Sequence, residues 1–336
     1  MTNHTPVLAA RIAAAFARAR EERRTALIPY VMAGYPDEAT SEALAVALCE
    51  AGADVLELGV PFSDPLADGA TIQHASHQAL QNGMTLAGAL ALAGRVAARI
   101  ATPLVPMTYY NPIFQFGVEG RVTANAEVAE MRGGRGGEER ENAKDAKQRE
   151  GREDGKKRGT AEDAEDAEDG APAAEEGALA RFAEAAHRAG IAGVIVPDLP
   201  PEEAEPLRDA LAAHGLALIF LVTPTSPDER IERVARMAET SGGFIYCVAL
   251  SGVTGARDRL PEQLAAFVGR VRKRATLPLA VGFGVARAEH VAEIGRVADG
   301  AVVASALVNA TDAAPPDRRV EAAVAFLHEV AQGTRR

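Results

Sequence analysis

Eight short apolar runs recur along the chain, each closed by a turn or a glycine and followed by a helical pattern. They are Leu27–Met32, Asp54–Val60, Leu104–Tyr109, Gly193–Pro197, Ala217–Val222, Phe244–Leu250, Leu279–Gly284 and Ala301–Ala306. Helical spacing of apolar residues marks Ala9–Glu22, where Ile12 and Phe16 share one face and arginines occupy the other. The same spacing predicts helices over Glu38–Ala51, Thr85–Ile100, Pro201–His214, Pro227–Thr240, Pro261–Ala275 and Ala286–Val297. Proline opens three of these, which suits a first helical turn where its missing N–H costs nothing. One helix between successive strands implies parallel pairing, because a parallel neighbour is reached only through a crossover. Eight such units predict a closed α/β architecture, a (β/α)8 TIM barrel forming a single domain, with the extra N-terminal helix capping its bottom.

One segment breaks the rhythm. From Arg121 to Ala178 there is no aromatic residue, no Leu and no Ile, and Ala161–Asp169 repeats Ala-Glu-Asp. Arg121–Thr160 holds eleven basic against nine acidic residues, whereas Ala161–Ala178 holds eight acidic residues and no basic one. Such a stretch buries too little surface to offset its ordering entropy, so residues 120–178 read as a disordered insertion after the third strand. Closure entropy grows only slowly with loop length, so the barrel tolerates it.

Composition narrows the function. The 336 residues carry a net charge of −11, which argues against a nucleic-acid surface. No run is long and apolar enough to span a membrane, and the N-terminal residues lack a secretion signal, so the expected location is the cytoplasm. Cys49 and Cys247 lie in apolar elements without metal or redox spacing and read as core thiols.

The chemistry concentrates in Leu56–Gly69, Leu-Glu-Leu-Gly-Val-Pro-Phe-Ser-Asp-Pro-Leu-Ala-Asp-Gly. Glu57 interrupts a buried strand, and a proline-bounded loop then delivers Asp64 and Asp68. A charge inside a core strand is costly unless paired or used. Glu57 is therefore either a structural ion pair or a catalytic acid, and two further carboxylates in the same stretch favour the second reading.

With that loop and the strand count together, the chain resembles the tryptophan synthase alpha subunit. The matching blocks are Leu56–Gly69, Met107-Thr108-Tyr109-Tyr110-Asn111-Pro112, Val196-Pro197-Asp198-Leu199-Pro200, Leu250-Ser251-Gly252-Val253-Thr254-Gly255 and Val281-Gly282-Phe283-Gly284. They stand in order at the ends of strands two, three, four, six and seven, and outside the insertion the resemblance covers nearly the whole chain. It implies retro-aldol cleavage of indole-3-glycerol phosphate to indole and glyceraldehyde 3-phosphate, with Glu57 and Asp68 at the positions of the family's two acids. Glu57, on a strand end in an apolar pocket, would have a raised pKa and act as acid and base near neutrality; Asp68, on a loop with water access, would stay ionised and accept the indole N–H. Phosphate would sit on Gly255, Gly284, Ala304 and Ser305, where Ala304 replaces the family's usual glycine; glycines at these places also suit tight turns. Tyr109, Ile195, Tyr246 and Phe283 match pocket-lining positions, although core filling is the ordinary role of strand residues. Thr254 lies in a loop that, in the family, closes over the substrate and meets the second acid. The role of Asp198 stays open.

The residues also point away from other aldolase chemistries. The only lysine outside the insertion is Lys273, on a predicted helix surface, which disfavours a Schiff base, and the seven histidines are scattered rather than clustered as metal ligands. No metal and no cofactor is expected in this chain. The resemblance implies a beta subunit as partner, in an alpha2beta2 heterotetramer, with pyridoxal phosphate held by that partner and Pro61 and Asp64 at the contact. A lyase working alone and a non-catalytic regulatory barrel are the competing readings.

Overall fold

The computed structural model describes residues 8–65, 68–116, 170–249, 262–282 and 284–335. Eight strands, β1 (Ala26–Met32), β2 (Leu56–Gly59), β3 (Leu104–Met107), β4 (Gly193–Ile195), β5 (Ala217–Val222), β6 (Ile245–Val248), β7 (Leu279–Gly282) and β8 (Gly300–Val303), pair in sequence order and close β8 onto β1. Every pairing is parallel, from Tyr30 opposite Glu57 in β1–β2 to Pro29 opposite Val303 in β1–β8. The expected (β/α)8 barrel is therefore the architecture found.

The helices are α1 (Leu8–Glu21), α2 (Glu38–Glu50), α3 (Ala70–Gln81), α4 (Leu86–Ala97), α5 (Gly170–Arg188), α6 (Glu205–Ala213), α7 (Asp228–Ser241), α8 (Glu262–Arg272), α9 (Ala288–Gly295), α10 (Ser305–Asp312) and α11 (Arg319–Ala331); residues 110–116 are helical as well. Two packing layers result. Leu44, Leu48, Leu92, Phe182, Leu207 and their neighbours fill the space between strands and helices. Ile28, Val55, Val105, Ile195, Ile219 and Val302 fill the barrel interior, and α1 closes its bottom with Ile12 and Phe16. Phe16 packs on Phe244 with ring centroids 5.5 Å apart. Both cysteines are buried, and burial pushes each thiol up to about 12, as plain core thiols require.

Most elements are a residue or more shorter or longer than the sequence reading, and three of the differing boundaries have a plain physical reason. The eighth strand stops at Val303 rather than Ala306, because Ala304 takes φ −115° and ψ −91° and Ser305 already opens α10. The helix expected from Pro201 begins at Glu205; residues 201–203 form a turn, and Pro206 takes the place in the first turn that suits an absent N–H. The charged segment was expected to be disordered to Ala178, yet α5 reaches back to Gly170. Ala178, Leu179 and Phe182 of α5 are buried, and the Tyr110 hydroxyl donates to Glu175. Among the described residues the buried ones of α5 begin at Ala178, so the helix is anchored through its later turns and continues back from them into the acidic stretch. Residues 120–169 of that segment lie outside the described residues.

Two acids within one short stretch then separate structure from chemistry. Asp54, wholly buried at the start of the run leading into β2, accepts hydrogen bonds from Arg24 Nη2 at 2.8 Å and from the Leu27 amide at 2.8 Å, with Arg18 at 3.2 Å. This is what a structural buried carboxylate looks like, with every lone pair answered. Glu57 is equally buried, at 2% exposure, and its Oε2 has no hydrogen-bond partner among the described residues.

Candidate active site

Strand alternation puts Glu57 on the same face of β2 as Val55 of the barrel interior, with Tyr30 on β1 and Val105 on β3 beside it in register. Burial pushes the Glu57 carboxyl up to about 8, and the nearby Asp68 charge adds to the shift. An acid held this way keeps its proton at neutral pH.

The loop after β2 returns Asp68 to the same mouth. Phe62 is pinned by Ser76 of α3, whose Oγ accepts the Phe62 amide at 2.9 Å and donates to the Phe62 carbonyl at 3.0 Å. Gln73 donates to the Asp68 carbonyl at 2.9 Å, and Gly69 caps α3 without a side-chain bond. Asp68 is half-buried rather than open to water as the sequence suggested, and burial lifts its carboxyl to about 6 against the opposing hydrogen bond from Tyr109. The Tyr109 hydroxyl makes that bond to Asp68 Oδ2 at a long 3.5 Å while its ring stacks on Phe62 with centroids 4.7 Å apart. Near neutrality the Glu57 carboxyl thus holds its proton while Asp68 is ionised, a difference set by their environments.

Both acids border a cavity of about 640 Å³ whose walls include Tyr30, Tyr246, Gly284 and Ser305. Each tyrosine ring lies over a glycine of the next strand: a Cβ at Gly59 would stand 1.9 Å from the Tyr30 hydroxyl, and one at Gly282 would stand 2.6 Å from the Tyr246 ring. At the far side Ala304 precedes α10 with no side-chain cap, so the first amides of that helix have no intrahelical acceptor and face the cavity. Gly284 there has φ +33° and open space where a side chain would stand. Two carboxyls and a helix N-terminus on the wall of one cavity suit a substrate bearing a negative group.

Several expected residues fall elsewhere. Ile195 is wholly buried among the strand residues of the barrel interior and does not border the cavity, so its core-filling role is the one observed. Tyr109 is buried and acts through Asp68 and Phe62 rather than as open wall. Pro61 is buried and Asp64 exposed, on the loop that leaves β2. Thr254, Gly255 and Phe283 lie outside the described residues, as do Leu66 and Ala67. Tyr30 is the residue the sequence reading missed; its signal was the register that parallel pairing imposes between the first two strands. Among the described residues no group of three or more His, Cys, Asp and Glu is placed to hold a metal ion, and no helix is long and apolar enough to cross a membrane.

A closed parallel barrel with two carboxyls at the carboxyl ends of its strands, facing a helix terminus across one cavity, defines a (β/α)8-barrel enzyme. The family described as tryptophan synthase alpha chain matches residues 16–133 and 174–335, and the chain belongs to that family. A tryptophan synthase alpha chain of Roseiflexus sp. strain RS-1 is 45% identical over 321 residues, covering 95% of this chain and 98% of the relative. That of Chloroflexus aurantiacus is 38% identical, covering 95% and 97%. Among solved structures, a tryptophan synthase of M. tuberculosis in its aminoacrylate-bound form superposes with a TM-score of 0.70 at 30% identity, covering 97% of this chain and 99% of that one. The family match breaks between residues 133 and 174, inside the charged segment. As an alpha chain the protein is a carbon–carbon lyase of tryptophan biosynthesis, cleaving indole-3-glycerol phosphate to indole and glyceraldehyde 3-phosphate by a retro-aldol reaction.

Proposed function

We propose that Glu57 and Asp68 are the acid–base pair of this cleavage. The observation that carries the reading is the Oε2 of Glu57: a buried carboxyl oxygen without a partner among the described residues, on the wall of the cavity that Asp68 also lines. Such a group costs stability and is retained where a ligand answers it.

The protonated Glu57 gives its proton to indole C3, and positive charge develops on the ring nitrogen. Asp68, ionised, accepts the N–H and stabilises that charge. Glu57, now a carboxylate, takes the proton of the glyceryl hydroxyl as the carbon–carbon bond breaks. The bond's electrons return to the ring, indole regains its aromaticity, the hydroxyl carbon becomes an aldehyde, and Glu57 ends protonated as it began. A carboxyl titrating near 8 suits both halves of this cycle. Tyr30 and Tyr246 give the indole an aromatic wall, while the α10 amides at Ser305, with Gly284 and Ala304, receive the phosphate.

The chain needs no cofactor of its own in this reading. Its partner is a beta chain holding pyridoxal phosphate, met through the exposed Asp64 and the loop from Pro61 in an alpha2beta2 assembly in the cytoplasm; the M. tuberculosis likeness, a tryptophan synthase, supports that pairing.

Indole release from indole-3-glycerol phosphate tests the reading. Glu57→Gln should lower kcat by about 100-fold or more, the usual scale for a general acid–base group, and addition of a beta chain should stimulate the wild type. A fully active Glu57→Gln variant would sink the assignment, and full activity without stimulation would make the protein a lyase that works alone.

A further inference from the structure

Asp198 follows β4 and touches neither of the two acids, yet its carboxylate is spent on one backbone group. The Tyr110 amide, first of the helical residues after β3, donates to Asp198 Oδ1 at 2.9 Å and to Oδ2 at 3.2 Å. That amide belongs to the peptide joining Tyr109 to Tyr110. A charge-assisted bond of this kind is about twice as strong as a neutral one, and it fixes the peptide plane from which the Tyr109 side chain departs. Downstream of that peptide stand the Phe62 stack and the hydroxyl bond to Asp68.

We propose that Asp198 is a positioning residue of the active site: by holding the Tyr109–Tyr110 peptide across from β4, it sets the Tyr109 hydroxyl on Asp68. The inference rests on the role given to Asp68 above. The neighbouring strand supports it, since the Thr108 amide donates to the Ile195 carbonyl at 3.0 Å, so the chain stays laddered to β4 until two residues before the Asp198 bond. Asp198 takes over where the ladder ends.

The sign of the effect separates positioning from simple charge. The titratable groups within electrostatic reach of Asp68 are Glu57 on β2, Tyr109 after β3, Tyr30 on β1 and Tyr246 on β6. The hydrogen bond from Tyr109 is the influence that lowers the Asp68 titration. Asp198 is not among those influences, so losing its charge alone would leave the acid limb of activity in place or, as for any lost negative charge, move it down. Releasing Tyr109 would move that limb up.

The test is the pH profile of kcat/KM of the full chain for wild type, Tyr109→Phe, Asp198→Ala and the double variant, with Glu57→Gln as control. Tyr109→Phe and Asp198→Ala should each raise the acid limb, by about half a pH unit or more, and the double variant should raise it no further. Asp198→Asn, which keeps an acceptor oxygen, should restore most of kcat with the limb at or just below its wild-type position. An unmoved or lowered limb in Asp198→Ala, or additive shifts in the double variant, would overturn the proposal. If alanine prevents folding, Asp198→Ser gives the same reading, because its shorter side chain does not reach the Tyr110 amide. An inactive Glu57→Gln beside an unmoved Asp198→Ala limb would reject the positioning role while leaving the acid–base reading intact; an active Glu57→Gln would reject that reading itself.

Discussion

Tyr30 and Glu57 stand opposite each other in the parallel register of β1 and β2, and both bring a buried polar group to the same cavity wall. Among the described residues the Glu57 Oε2 has no partner, and the Tyr30 hydroxyl has only the Met32 sulfur at 3.8 Å, a weak acceptor. Two under-satisfied groups in register are an arrangement that a folded chain tolerates for a ligand's sake. They also make the site's titration behaviour readable.

Activity should follow a bell in pH. Asp68 must be ionised, so kcat/KM should fall on the acid side through about 6. Glu57 must begin protonated, so kcat/KM should fall on the alkaline side through about 8. A profile flat across that interval and beyond, measured by indole release, would separate the two carboxyls from the chemistry.

Stability should carry the same signature with the opposite use. The Glu57 carboxyl titrates at about 8 in the folded chain against 4.5 when exposed. Between those values the native state holds a proton that the unfolded chain has released, so stability falls as pH rises through the window and levels off above it. Asp68 adds a fall of the same sign between 3.8 and about 6. Glu57→Gln removes the larger slope: its melting temperature should match the wild type at about pH 4.5 and exceed it at about pH 9, by an amount reflecting a few kcal/mol. Calorimetry at the two ends decides the matter, and a variant less stable at the alkaline end would refute it.

How much of this was legible beforehand divides along physical lines. Strand count and parallel order follow from hydrophobic periodicity, which local sequence carries, and Glu57 announced itself as a charge in an apolar run. Tyr30, an aromatic residue inside a strand, resembles core until register places it beside Glu57. Ile195 shows the converse, since the end of a strand and the barrel interior are one residue apart and spacing does not separate them. Asp198 was visible as a polar residue between prolines, but its partner is a backbone amide 88 residues away, and side-chain identity says nothing about that. The start of α5 stayed hidden because an acidic, alanine-rich stretch carries no apolar periodicity, and among the described residues the buried face of the helix begins only at Ala178.

The glycine beneath Tyr30 is a separate handle on the site. A Cβ at Gly59 would stand 1.9 Å from the Tyr30 hydroxyl and 2.4 Å from its ring carbon, inside any tolerable contact. Gly59→Ala must push the ring out of place in a packed barrel, and overpacking of that kind costs about 1–3 kcal/mol. The displaced ring enters the cavity beside Glu57, so KM should rise as well. A Gly59→Ala protein with wild-type melting and wild-type KM would show that the ring has room that the structure denies it.

Asp54 gives the contrasting case and the sharpest control. It shares the run into β2 with Glu57, is wholly buried, and is answered by Arg24, Arg18 and the Leu27 amide. Asp54→Ala leaves the Arg24 guanidinium, only 21% exposed, without its main counter-charge and orphans the Leu27 amide at the closure of the barrel. Breaking one side of a buried pair costs about 3–5 kcal/mol, so the chemical-denaturation midpoint should drop steeply. The bell in pH should nevertheless keep both limbs, because nothing at the barrel's bottom reaches Glu57 or Asp68. If Asp54→Ala shifted the limbs while Glu57→Gln left kcat intact, the catalytic and structural assignments of the two buried acids would have to be exchanged.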